Sequence, residues 1–274
     1  MRKISWKKMG IVLGMCVTLA GVAACQNETS GEGEQTDLKT IKIGASADME
    51  TTLACLKEPL EELGYQMEET YFEDYVMPNQ ALAEGSIQCN FYQNIPYVEE
   101  YNANEGTDLV FVDPPLLPVP YAICSNEISS LDELKEGMTI SIPNAPSNRE
   151  RVLKILDNVG IITLADKPQD TYYTQADIVE NPYKCEIQEL EGMSLSSSIN
   201  DVTMVCLPKQ SFYEFNGDMS KVIYTDNDDY YACGIVINSG DEDADWLKAL
   251  MEAGQSEEYE KAVVELYDGV IEFD

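Results

Sequence analysis

Arg149 and Arg151 lie in the segment Ile142-Pro143-Asn144-Ala145-Pro146-Ser147-Asn148-Arg149-Glu150-Arg151, and apart from Arg2 they are the only arginines of the chain. The segment follows a predicted strand and opens a predicted helix. Ser147, with Glu150 three residues on, fits a capping box. The unpaired N–H groups of a helix start, set beside a guanidinium, make an anion site, and arginine grips a carboxylate through two parallel hydrogen bonds. That chemistry suits a small carboxylate ligand. The same residue types also serve structure. Arg151 fits an ion pair with a carboxylate of the protein equally well, and Arg149 fits a solvated position better than a binding one.

A second cluster is Asn90-Phe91-Tyr92-Gln93-Asn94-Ile95-Pro96-Tyr97, with Tyr75 upstream. Aromatic rings and amides at a strand end suit a small ligand with an apolar body and a few polar groups. They suit a plain core as well. Other chemistry is scarce. The chain has no histidine, which removes the commonest general base and the commonest metal ligand. It has no GxSxG nucleophile elbow. Cysteines 55, 89, 124, 185, 206 and 233 show neither CxxC nor zinc spacing. Most sit in apolar stretches such as Met204-Val205-Cys206-Leu207 and read as small buried hydrophobes. The cluster Asp226-Asn227-Asp228-Asp229 lacks the glycine and distal glutamate of an EF-hand loop and reads as a turn. No metal, cofactor or enzymatic activity is expected.

These residues need elements to place them. Residues 41–44 read as a strand. Leu53, Leu56, Leu60 and Leu63 have helical spacing, and Pro59 should kink that helix or mark its true start. Strands near 66–72, 87–91 and 109–112 alternate with helices over 78–84 and 96–102. A short helix at 130–136 and a strand at 138–142 follow. Val152, Ile155, Leu156 and Val159 line one face of the next helix, and strands at 187–190 and 203–207 come after it. Residues 232–238 form an apolar strand, and Asp241, Glu242, Asp243 and Asp245 place carboxylates at a helix start, where the dipole favours them. The alternation predicts an α/β fold with a largely parallel sheet. Segments 85–90 and 200–205 make a weak pseudo-repeat, so each half carries one equivalent strand ending at a loop. Ligands of open α/β sheets bind beyond the carboxyl ends of strands. Two such halves facing each other would enclose a cleft.

The N-terminus reads as a secretory signal ending on cysteine. Arg2, Lys3, Lys7 and Lys8 precede an uncharged run from Met9 to Ala23, closed by Val22-Ala23-Ala24-Cys25. The run is too short to span a bilayer, which needs roughly 20 residues. Cys25 at the new N-terminus resembles a bacterial lipobox, where the thiol takes a lipid. Residues 1–24 are thus expected as the signal peptide, and 25–38 as a lipidated cysteine with a polar, flexible tether. The formal net charge of the 274-residue chain is −33. The signal holds four of its 17 basic residues and none of its 50 acidic ones, so removing it leaves 13 against 50, or −37. A surface of that charge repels nucleic acid and anionic headgroups, and neither is expected as a ligand.

Four segments together resemble signatures of the methionine-binding lipoprotein (NlpA) family. They are Asp74-Tyr75-Val76-Met77-Pro78-Asn79-Gln80-Ala81-Leu82, the Asn90–Tyr97 cluster, Ile142-Pro143-Asn144-Ala145-Pro146-Ser147-Asn148, and Ile178-Val179-Glu180-Asn181-Pro182. The resemblance runs in order from about residue 41 to 273. It implies a two-lobed periplasmic-binding-protein-like fold of type II, with residues 39–123 plus 231–274 as lobe I and 124–230 as lobe II. It implies a lipid-anchored extracytoplasmic receptor that gives methionine or a related amino acid to an ABC permease in the same membrane. By position, Arg151 would meet the ligand carboxylate, with Asn148 and Asn144 in the same loop. Tyr75, Asn90, Tyr92, Gln93 and Asn94 would line the first-lobe half. The chain departs from the family pattern at Asn94 (usually His), Ala145 (usually Asp) and Pro208 (usually Asn). Ser194 and Ser197 also differ from the usual Gln and Arg. A surface lipoprotein or adhesin that keeps the fold with altered or lost ligand binding is the second reading.

Overall fold

The computed structural model describes residues 38–168 and 171–273. The signal peptide, Cys25 and nearly all of the tether lie outside the described residues. The strands are β1 (Lys39–Ser46), β2 (Tyr65–Phe72), β3 (Cys89–Gln93), β4 (Val110–Phe111), β5 (Tyr121–Cys124), β6 (Thr139–Pro143), β7 (Thr163–Leu164), β8 (Ile178–Glu180), β9 (Glu186–Leu190), β10 (Met204–Pro208), β11 (Val222–Asp226) and β12 (Gly234–Ile237). The helices are α1 (Glu50–Ala54), α2 (Lys57–Glu62), α3 (Met77–Ala83), α4 (Ile95–Glu105), α5 (Pro146–Asn158), α6 (Lys209–Glu214), α7 (Asp245–Gly254) and α8 (Glu257–Leu266). None of the described helices is long and apolar enough to cross a membrane.

Two five-stranded sheets organise these elements, in the orders β2-β1-β3-β12-β4 and β9-β6-β10-β5-β11. In the first, β1 is parallel to β2 and β3, while β12 runs antiparallel between β3 and β4. In the second, β6 is parallel to β9 and β10, while β5 runs antiparallel between β10 and β11. The two sheets thus repeat one pattern, with a single strand against four. The equivalent centre strands are β3 and β10, which contain or adjoin the two segments of the pseudo-repeat. The chain completes the second sheet before β12 returns to the first, so the first sheet is built from two separate stretches of chain. Strand β5 lies wholly in the second sheet, although a boundary between residues 123 and 124 would divide it.

Both sheets are covered on both faces, so β10 and β12 are apolar runs and even the polar Asn90 and Gln93 of β3 are buried. Ile235 and Ile237 of β12 join Ile41, Ile43, Leu53, Leu60, Leu250 and Tyr259 on one face, while Val236 faces Leu82, Ile87 and Val98 on the other. In the second sheet Met204 and Cys206 pack with Val152 and Leu156, and Val205 and Leu207 with Leu195 and Phe212. The stretch from Leu53 to Leu63 is two short helices rather than one. Pro59 sits in the first turn of α2, where its missing N–H removes no bond. The six described cysteines are free, and all but Cys55 are buried.

Candidate functional site

The carboxyl ends of the parallel strands of both sheets converge on one cavity of about 60 Å³. Asp48 and Met49 follow β1, Tyr75 follows β2, and Asn94 follows β3. From the second sheet, Asn148 follows β6, Gly192 follows β9, and Gln210 with Ser211 follows β10. This is where an open α/β sheet binds its ligand. The antiparallel strands add their starting ends. Tyr121 opens β5 opposite Pro208, and Cys233 precedes Gly234, which lies opposite Gln93. Ordinary ligand pockets measure roughly 300–1,000 Å³. At about 60 Å³ this cavity is smaller than those.

The first-sheet wall is held by hydrogen bonds that tie its hydroxyls and amides to one another. Tyr92 and Tyr97 both donate their hydroxyls to the Tyr75 carbonyl, at 2.7 and 3.0 Å. Tyr75 stacks on Tyr92, and Tyr97 meets Tyr92 edge-on, each pair with centroids 6.1 Å apart. Burial raises the pKa of all three tyrosines, so they stay protonated donors on the cavity wall. Gln93 donates to Asn79 Oδ1 and Asn90 Oδ1, while Asn79 donates back to Gln93 Oε1 at 2.9 Å. This buried amide triad fixes the end of β3 to α3. Asn94 caps α4 by accepting from the Tyr97 N–H at 3.0 Å, and its Nδ2 reaches Asn148 Oδ1 in the first turn of α5 at 3.5 Å.

Arg151 has partners of its own on every side. It is 2% exposed. Its Nε and Nη2 reach Asp226 Oδ2 at 3.3 and 3.1 Å, and Nη1 donates to the Val119 carbonyl at 2.9 Å. The rings of Tyr121 and Tyr231 lie against the guanidinium, 4.4 and 4.6 Å from its carbon. The start of α5 is also served from within. Ala145 is the N-cap, so Ser147 and Glu150 form no capping box. The Ser147 N–H donates instead to Glu100 Oε2 of α4 at 3.2 Å. Both halves of the anion site read from the sequence thus hold carboxylates of the protein. Arg149, expected to be solvated, pairs with Glu189 at 3.1 Å and donates to the Tyr173 carbonyl.

Tyr75, Tyr92, Gln93, Asn94 and Asn148 come together on the cavity, and Asn90, Asn144 and Arg151 do not line it. Asn90 is held in the amide triad behind Gln93. Asn144 is exposed at the end of β6, its N–H donating to the Leu190 carbonyl. Arg151 is enclosed as described. Sequence reading missed Asp48, Tyr121 and Gln210. Asp48 had a signal, since it stands two residues beyond a predicted strand. Tyr121 and Gln210 had none that separates them from core residues.

Two sheets of this order, with a tyrosine- and amide-lined cavity at their shared strand ends, define a two-lobed solute-binding protein of the type II class. The profile of the family described as NlpA lipoprotein matches residues 41–272, and the chain belongs to that family. It is 33% identical over 263 residues to a D-methionine-binding lipoprotein, MetQ, of Salmonella typhi, covering 94% of each chain. The fold matches a lipoprotein from Ruminococcus gnavus with a TM-score of 0.76 at 33% identity, over 86% of this chain and 100% of that one. It also matches a nutrient-binding protein from Burkholderia cenocepacia bound to methionine, with a TM-score of 0.78 at 28% identity, over 85% and 98%.

Proposed function

We propose that the protein is the lipid-anchored, extracytoplasmic receptor of an ABC importer, and that it captures methionine or a related amino acid for a permease in the same membrane. The observation that carries this reading is the cavity where both sets of strand ends meet, lined by four tyrosines, Gln93, Asn94 and Asn148. Rings give an apolar surface and amides give orientation. The methionine-binding names of relatives similar over nearly the whole chain support the ligand class. Tyr75, Tyr92, Gln93, Asn94 and Asn148 meet the ligand in this reading. Asn90 acts behind them by holding Gln93, and Asn144 and Arg151 shape the loop and wall around it. Ligand binding selects the closed arrangement because it contacts both sheets at once. The protein catalyses nothing. Cys25 carries the lipid, and the tether to residue 38 keeps the receptor at high local concentration around its permease.

Calorimetric titration of the full chain in detergent tests this. Heat of binding with methionine or a close analogue is expected. Absence of binding to every amino acid, dipeptide and thioether removes the reading. One observation favours a surface lipoprotein without a transported ligand, namely Pro208 on the cavity wall with neither an N–H nor a side-chain donor. Mass spectrometry of co-purified small molecules separates the two.

A further inference from the structure

Among the described residues, Asp48 is the one charged side chain that lines the cavity. Its Oδ2 accepts from the Tyr75 hydroxyl at 2.9 Å. Its Oδ1 is buried and has no hydrogen-bond partner. A second acceptor on the same cavity is in the same condition. Gln210 is 6% exposed and its Oε1 has no partner. An acceptor left unpaired away from water is costly, more so if it is charged. Two such oxygens on one cavity call for a group that donates several hydrogen bonds. Around them stand the rings of Tyr75, Tyr92 and Tyr97, whose faces attract a cation. The groups that would instead bind an anion are already satisfied. Arg151 faces Asp226, and the start of α5 faces Glu100.

We propose that the site reads its ligand through a protonated amine held by Asp48 and Gln210 within the tyrosine rings, and that a ligand carboxylate is dispensable. The ligand class is therefore a small primary amine with an apolar body, of which an amino acid is one member and its amide or ester another. This rests on the receptor reading above and narrows it. Arg151 keeps its place in the wall as the partner of Asp226.

Three probes of the same thioether body test the proposal with unaltered full-length protein in detergent. Methionine has both charges, methioninamide has only the amine, and N-acetylmethionine has only the carboxylate. Calorimetry is expected to show methioninamide binding at least as tightly as methionine, with N-acetylmethionine weaker by about 30-fold or more. In Asp48→Asn the affinity for methioninamide is expected to fall by at least about 30-fold. The probe comparison stands even if that variant folds poorly. Binding of methionine without methioninamide, or of N-acetylmethionine as tightly as methionine, overturns the proposal and leaves the receptor reading intact. Failure of all three probes overturns the proposal, and the receptor reading falls with it only if no amino acid, dipeptide or other thioether binds either.

Discussion

Arg151 can serve a ligand or a fold, and its surroundings decide which. A guanidinium buried to 2% exposure needs a counter-charge, and Asp226 supplies it from the end of β11. Removing one partner of such a pair strands the other charge away from water. Asp226→Ala is therefore expected to lower unfolding stability by about 3 kcal/mol, at the low end of the usual range because Asp226 is partly exposed. Urea titration at neutral pH reads this directly, and a loss under about 1 kcal/mol would show that the tyrosine rings and the Val119 carbonyl suffice. The acidic segment at residues 226–229 thus does more than turn the chain. Asp228 accepts from the Tyr230 N–H in the manner of a cap, while Asp226 neutralises the arginine.

At the scale of elements, one glycine lets the loop after β9 come close to Tyr75. Gly192 follows β9, and a Cβ built on it would lie 2.6 Å from Tyr75 Cε2 across the cavity. Tyr75 cannot yield easily, because Asp48 and the Tyr92 ring hold it. Gly192→Ala is expected to weaken ligand binding about tenfold, a cost of roughly 1.4 kcal/mol typical of overpacking. Unchanged affinity by calorimetry would show that the loop after β9 shifts freely. The alternating strands and helices were legible because each sheet buries both faces, which makes apolar runs. The break between α1 and α2 was legible only as a proline at the wrong helical depth. The capping box was not realised because Pro146 already starts α5 at Ala145 and a carboxylate from α4 occupies the Ser147 N–H.

For the whole molecule, charge dominates. A net charge of −33 means that carboxylates repel one another wherever they are desolvated. Burial raises the pKa of Glu100, Glu191 and Glu214 above the ordinary value near 4.5. A raised carboxylate pKa means that the folded state holds its proton more tightly than the unfolded one. The resulting stabilisation is complete below pH 4.5 and is lost as pH rises through the raised values. The thermal midpoint is thus expected to rise when pH falls from 7 toward 5. Glu100→Gln should make that rise smaller, and an equal pH slope in both proteins would exclude Glu100 from the effect. Added salt should also stabilise the protein at pH 7 by screening the same repulsion.

The amino-acid sequence by itself determined the fold class, the pseudo-repeat and the two segments that build much of the cavity wall. Apolar periodicity and strand–helix alternation are local properties, and they carry that much without tertiary contacts. Only the tertiary structure decided which polar groups are already satisfied. Asp226 lies 75 residues from Arg151 and Glu100 lies 47 from Ser147, and no spacing rule joins residues that far apart. The strand order brought Asp48 and Gln210 to one cavity from opposite sheets and left an acceptor oxygen of each without a partner, which no local pattern in the chain encodes.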